Sequence, residues 1–384
     1  MKKILFVTTS SLEPKNYSGD AIRAKNIIKY LRKKNIVDIV CVTKKEKTTC
    51  VEKNGKIYFF KRNNILLKVF YTFVCLINLK PLQLGYFYSK KIKVFLYHKS
   101  KKYDSIIFHL IRSAQYLPTN FNGKKILEMT DLISNNYNQT KKKLSLLNIF
   151  YYLYLIESFL VKKYEYDCSK FFDKTVIVSK TDITNFNKKF KRKIIEITNG
   201  IETQEKSFKF QKKNFKILFV GNINYLPNKL ACYEFAENIL PKINMIYPEI
   251  EFHIIGKINI VDKTRLSLIK KVKVLGKIND LSKNINLAIC GIANLQIATG
   301  IQNKIFTYIS YALPTIASFR SASRIKKLSN YKDLLIFKNK KQFINQIIQL
   351  KENKILANKL SKNSYNKIKS LSWEKMLKNY SRII

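Results

Sequence analysis

At 384 residues, with 46% hydrophobic and 13% aromatic content, the chain is long enough for two ordinary domains and too apolar to be disordered throughout. Its net charge of +48 points toward nucleic acid or an anionic membrane, yet only nine of the 73 basic residues are arginine, the side chain that nucleic-acid readers favour. Lysine is spread along the whole length and inflated together with Asn, Ile, Phe and Tyr, which fits compositional bias, keeps a membrane surface as the second account and argues against nucleic acid.

In chain order, "KKILFVTTS" (2–10) is a short apolar run of the kind a fully buried parallel strand shows, so it reads as a first strand and not a signal peptide. A polar "SGD" loop (18–20) leads into a helix over 21–35, with Ile22, Ile27, Ile28 and Leu31 on one face, and then a strand over 37–43. Two greasy segments, 65–79 and 144–160, are too short or too interrupted to cross a bilayer. They are expected as core helices, the rival being contact with a membrane interface. Further strands are expected at 105–110, 125–130 and 174–179. A second series runs through 215–221, 251–256, 272–276, 285–290 and 314–318, so the fold class is α/β with two doubly wound halves. The expected division is a first domain over 1–201, a Lys-rich linker over 202–214, a second domain over 215–365 and a closing helix over 366–384 anchored by Trp373.

Cys41, Cys50, Cys75, Cys168, Cys232 and Cys290 form no CxxC pair and have no histidine at metal spacing, so they read as reduced, mostly buried thiols of a cytoplasmic protein. His98, His109 and His253 are isolated in sequence, and His109, at the end of "SIIFH", reads as a core or rim histidine. Glu157 and Glu165 read as surface charges paired with neighbouring lysines. HEXXH, GxSxG, P-loop and DxD constellations are lacking, which gives hydrolase, kinase and metal-dependent GT-A chemistry no support.

An ordered set of segments resembles the GT-B glycosyltransferases, specifically family 4, the retaining nucleotide-sugar group (group 1 type). These are the "SGD" loop, "YDSIIFHLIRSAQY" (103–116), "EMTDLISNNY" (128–137), "ITNGIE" (197–202), "ILFVGNINYLPN" (217–228), "VKVLGKINDL" (272–281), "TGIQNKI" (299–305) and "ALPTIAS" (312–318). The resemblance implies two Rossmann-like domains facing a central cleft, with a C-terminal helix closing back. It implies a hexosyltransferase that uses an NDP-sugar donor and a glycan or lipid-linked acceptor, without a metal or a permanently bound cofactor, in polysaccharide or lipopolysaccharide synthesis.

By the same resemblance, Ser18, Gly19 and Asp20 face the donor diphosphate, and Gly221, Asn222 and Asn228 line the donor domain. Gly300, Ile301, Gln302, Asn303 and Lys304 seat the diphosphate at a helix N-terminus, where free amides and the helix dipole attract anions. Asp131 is expected at the transferred sugar or the acceptor hydroxyl and Arg112 at a phosphate, the alternative for each being a salt bridge or a strand-end cap. At Thr307 the family carries a glutamate for the ribose, and no Asp or Glu occurs between Asp280 and Asp333. Asn294 and Gln296 also depart from the pattern. A weakly catalytic GT-B paralogue acting as a binding or partner subunit is the competing expectation.

Overall fold

The computed structural model describes residues 1–13, 18–44, 47–142, 144–179, 193–278, 280–298, 302–323, 325 and 328–384. They divide into two compact units, Met1–Asn199 with the returning Met376–Ile384, and Gly200–Lys375.

The first unit is built on an eight-stranded sheet of order β3-β4-β2-β1-β5-β6-β7-β8. Its strands are β1 (Lys3–Thr8), β2 (Ile36–Thr43), β3 (Cys50–Glu52), β4 (Gly55–Lys61), β5 (Ser105–His109), β6 (Lys124–Thr130), β7 (Lys174–Ile177) and β8 (Ile194–Glu196). Among the described residues, only the exposed edge strand β3 is antiparallel to its neighbour. Ile4, Leu5, Phe6 and Val7 have no exposed surface, as a strand covered on both faces requires. Helix α1 (Gly19–Leu31) packs Ala21, Ala24, Ile27, Ile28 and Leu31 inward, stopping four residues short of its expected end. Because β1 pairs with β2 on one side and β5 on the other, the winding direction changes between β1 and β5, at the carboxyl ends Thr8 and His109.

Further α-helices of this unit, among the described residues, are α2 (Ile65–Ile77), α3 (Leu82–Tyr86), α4 (Lys90–Lys99), α5 (Ile133–Lys141) and α6 (Ile149–Phe171). The core assignment for both greasy segments is corrected: α2 has no buried residue, and over 144–160 only Glu157 and Leu160 are buried. Nor are Glu157 and Glu165 surface charges. Glu157 accepts hydrogen bonds from the Leu82 and Gln83 amides at 2.7 and 3.2 Å, capping α3, and Glu165 accepts from the Ser134 amide at 3.2 Å. Burial pushes the Glu157 carboxyl up, and the two amides pull against it.

The second unit carries a six-stranded parallel sheet of order β11-β10-β9-β12-β13-β14. Its strands are β9 (Lys216–Val220), β10 (Glu251–Ile255), β11 (Val272–Gly276), β12 (Ala288–Ala293), β13 (Thr315–Ser318) and β14 (Leu335–Phe337). Here the winding changes direction between β9 and β12. The strand expected at 285–290 starts later, at Ala288, because Leu287 takes a left-handed backbone (φ 62°) after a short turn of helix at Ser282–Ile285. Helices α7 (Leu226–Glu234), α8 (Ile260–Ser267), α9 (Asn303–Ser310), α10 (Lys340–Glu352) and α11 (Lys354–Ile368) accompany the sheet. The closing helix is shorter than expected: α12 covers Trp373–Leu377, and Lys378–Arg382 continues as a 3-10 segment whose Tyr380 is fully buried in the first unit.

Candidate functional site

In the second unit the chemistry gathers where β9 and β12 part. Beyond β9 come Gly221 and the exposed Asn222, and α7 then begins with Pro227 in its first turn, where a missing amide hydrogen costs nothing. Asn228 Nδ2 donates to the Asn222 carbonyl at 2.8 Å and so fixes the loop, while its Oδ1 accepts from Lys304 Nζ at 2.6 Å. Lys304 lies in the first turn of α9, with its amine 3.8 Å from the centroid of the Phe219 ring. Tyr308 sets this helix in place: its hydroxyl accepts from the Val220 amide at 2.8 Å and donates to the Ile292 carbonyl at 3.1 Å. A Cβ at Gly291 would fall 2.3 Å from the Tyr308 ring, so only glycine lets β12 and α9 approach this closely.

Lys304 is 8% exposed, and burial pushes its amine down to about 7, with Cys232 pulling slightly the other way. A cation in the first turn opposes the helix dipole, and α9 has no acidic residue there to relieve it. The arrangement is unfavourable as it stands and becomes favourable when an anion arrives. Gln302 and Asn303 are half-buried at the start of α9, and Thr307 donates to the Asn303 carbonyl at 3.1 Å, which leaves its oxygen lone pairs able to accept. Gly300 and Ile301 lie outside the described residues. Asn294 is buried and donates to the Ala231 carbonyl at 2.9 Å, and Gln296 is exposed.

The first unit has its own polar cluster at the β1/β5 switch point. Arg112, in the 3-10 segment after β5, donates from Nε to Thr9 Oγ1 at 2.6 Å, lies 4.1 Å over the Phe87 ring and faces Asp20 at 3.8 Å. Asp20 also accepts from Ser10 Oγ at 2.7 Å. Burial pushes Asp20 up, but hydrogen bonds from Ser10 and Ser18 and the Arg112 charge outweigh it and hold the carboxyl below its ordinary value. Ser18 and Asp20 are half-buried and Gly19 is exposed. His109 is fully buried, 3.1 Å from Thr8 Oγ1 through Nδ1, and burial pushes it down to about 3, so it is neutral at physiological pH. Asp131 is half-buried at the end of β6, one strand over, following Thr130 in a left-handed backbone (φ 70°).

Sequence reasoning missed a third cluster. Arg23 is fully buried in α1, and its guanidinium donates to Glu128 at 2.9 and 3.1 Å, to Asn199 Oδ1 at 2.8 Å and to the Ile197 carbonyl at 2.8 Å. The Tyr380 hydroxyl donates to the same carboxylate. The local signal was slight: an arginine between Ile22 and Ala24 in a chain where only nine of 73 basic residues are arginine. Among the described residues no group of three or more His, Cys, Asp or Glu is placed to hold a metal ion.

Two doubly wound units on mainly parallel sheets, each with polar residues at its switch point, define a GT-B fold. Residues 214–353, which contain β9 to β14 and α9, match the family model for glycosyl transferases group 1. Solved structures similar over the whole chain include the Anabaena HepE protein in complex with UDP and glucose (12% identity, TM-score 0.68, covering 100% of this chain and 99% of that one). Sucrose-phosphate synthase from Thermosynechococcus elongatus is similar at 13% identity and TM-score 0.70, covering 100% and 98% of the two chains. So is WaaG, a glycosyltransferase involved in lipopolysaccharide biosynthesis, at 11% identity and TM-score 0.66, covering 99% of each. Among curated proteins, none matches this sequence.

Proposed function

We propose that the protein transfers a hexose from a nucleoside-diphosphate sugar to a glycan or lipid-linked acceptor, with retention of anomeric configuration, in the synthesis of a surface polysaccharide or lipopolysaccharide. The observation that carries the reading is Lys304, a buried amine held by Asn228 at the N-terminus of α9. HepE binds UDP and glucose and WaaG acts in lipopolysaccharide biosynthesis, and both share the fold.

In this scheme the donor diphosphate meets the Lys304 amine, the first amides of α9 and the loop of Gly221 and Asn222. The bond between the sugar C1 and the diphosphate oxygen breaks, the acceptor hydroxyl bonds to C1 on the same face, and its proton passes to the released phosphate oxygen. No carboxylate nucleophile is needed, and no metal ion enters. The phosphate raises the proton affinity of Lys304, which then stabilises the charge growing on the leaving group. Arg112, oriented by Thr9 and Asp20, offers its remaining N–H groups to a phosphate of the acceptor, and Asp131 serves the sugar or the acceptor hydroxyl. Calorimetry with UDP and GDP, followed by transfer assays with NDP-sugars, tests the reading, and failure to bind either nucleotide at millimolar concentration would overturn it.

The Thr307 hydroxyl favours the second reading, a weakly catalytic paralogue, because it offers a ribose one acceptor where a carboxylate offers two. Thr307→Glu should tighten donor binding by about thirtyfold, the equivalent of roughly 2 kcal/mol for one restored bond to a charged acceptor. An unchanged dissociation constant would show that Thr307 does not face the ribose.

A further inference from the structure

We propose that the outward faces of α2 and α6 seat the protein on an anionic bilayer, lying in the interface without crossing it. Among the described residues no helix is long and apolar enough to span a membrane. The argument starts with how α2 is attached. Its half-buried residues are Lys68, Tyr71, Thr72 and Cys75, an i, i+3, i+4, i+7 stripe. That stripe is the more polar side of the helix. Nine of the thirteen residues of α2 are exposed and apolar, among them Ile65 at 66%, Leu66 at 76%, Phe70 at 57% and Phe73 at 58%. A helix in a water-soluble domain turns its apolar side inward, and this one does the reverse.

The attachment is firm. A Cβ at Gly85 of α3 would lie 2.2 Å from the Tyr71 carbonyl, so the two helices touch backbone to backbone. Glu157 of α6 caps the other end of the connection by accepting from the Leu82 and Gln83 amides. The first half of α6 follows the same logic. Tyr151, Tyr154, Glu157 and Ser158 are buried or half-buried, while Ile149, Phe150, Leu153, Ile156 and Phe159 are exposed. Just ahead of it Leu147 is 97% exposed. An apolar groove of about 350 Å³ runs along α2, lined in part by Val69, Phe73, Leu76 and Leu82.

Charge selects the occupant. Residues 61–80 contain no acid, and the only acid between 141 and 163 is Glu157, which is turned inward. Lys61, Lys80, Lys142, Lys162 and Lys163 are exposed at the ends of the two apolar stretches. Apolar faces bordered by lysines, on a chain of net charge +48, match the acyl and headgroup layers of an anionic membrane.

Flotation with phosphatidylglycerol–phosphatidylcholine vesicles tests this, using the full chain without any nucleotide so that failure leaves the donor-site reading untouched. The wild type should float with vesicles rich in phosphatidylglycerol at low salt and weakly or not at all with pure phosphatidylcholine. The double variant Phe70→Ser/Phe73→Ser should lose about tenfold or more in partitioning while keeping the wild-type circular dichroism spectrum. Phe150→Ser/Phe159→Ser should lose a similar amount. Absence of wild-type flotation, flotation unchanged in both variants, or a stable dimer in solution that the same substitutions dissolve would each overturn the proposal.

Discussion

Replacing Lys304 by methionine should leave the protein more heat-stable and at the same time nearly blind to nucleoside diphosphates. The two effects have one cause. In the folded chain the amine is pushed down to about 7, whereas in the unfolded chain it returns to an ordinary lysine value near 10.4. Between those values the unfolded state holds a proton that the folded state lacks, so this residue's contribution to stability rises with pH across the window. Below about pH 7 both states are protonated, and the full cost of burying the charge is present. Methionine has similar length and no charge, so the variant should gain on the order of 1–4 kcal/mol at pH 7, a gain that shrinks toward pH 10. Nucleotide binding moves the other way. Loss of a bond to a charged donor, about 1.5–3 kcal/mol, should weaken UDP or GDP binding by roughly 10- to 150-fold. Wild-type affinity should also decline as pH rises above 7, because binding must then supply the proton, and the methionine variant should show no such decline. Thermal melts and calorimetry from pH 6 to 9 measure all of this. An unchanged nucleotide dissociation constant would remove Lys304 from the donor site.

Glu128→Ala should be the most damaging single change in the first unit. It strands the fully buried Arg23 guanidinium and frees the Tyr380 hydroxyl, and removing one partner of a buried ion pair costs about 3–5 kcal/mol. Arg23→Met should cost less, because the carboxyl it leaves behind can protonate. Burial already holds Glu128 above the usual carboxylate range, with Arg23 opposing, and losing Arg23 raises it further. An acid raised in the folded state keeps a proton that the unfolded chain releases, so stability falls as pH climbs from about 4.3, the unfolded value, through the folded one. The Arg23→Met variant should therefore be most stable in acid and weaken toward neutrality. The double change Arg23→Met/Glu128→Leu should lose clearly less than the two single changes added together. Denaturant unfolding at pH 5 and pH 7.5 separates these outcomes, and single-variant losses under about 1 kcal/mol would show that the cluster contributes little.

What the sequence displayed well was anything written locally. Runs such as Ile4–Val7 and Ile217–Phe219 are apolar at every position, and all of these residues are fully buried in parallel strands. Segment order and a resemblance spread along the chain singled out Gly221, Asn228 and Lys304, and the structure adds the hydrogen bond from Lys304 to Asn228. What stayed hidden depends on partners far apart in sequence. Arg23 meets a carboxylate 105 positions away, and Tyr380 meets the same one from 252 positions away, with no periodicity linking them. The composition of α2 was plain, but its orientation was not, because four half-buried side chains rather than its nine apolar ones decide which face docks. The late start of β12 rests on one left-handed leucine, a backbone choice that leucine does not advertise.

The return of Met376–Ile384 to the first unit carries a consequence for the order in which the chain folds. Gly200–Lys375 is one continuous stretch, whereas the first unit is assembled from two stretches that it separates. The first unit, although it begins at Met1, takes Tyr380 as the last hydroxyl on its buried Glu128. Closing a unit across an intervening domain carries a loop-entropy cost that a continuous unit is spared, so the first unit should complete its packing after the second. Removing residues 376–384 should leave the second sheet intact and strip the buried Glu128 of the Tyr380 hydroxyl, so the first unit should open locally and become the preferred site of proteolysis.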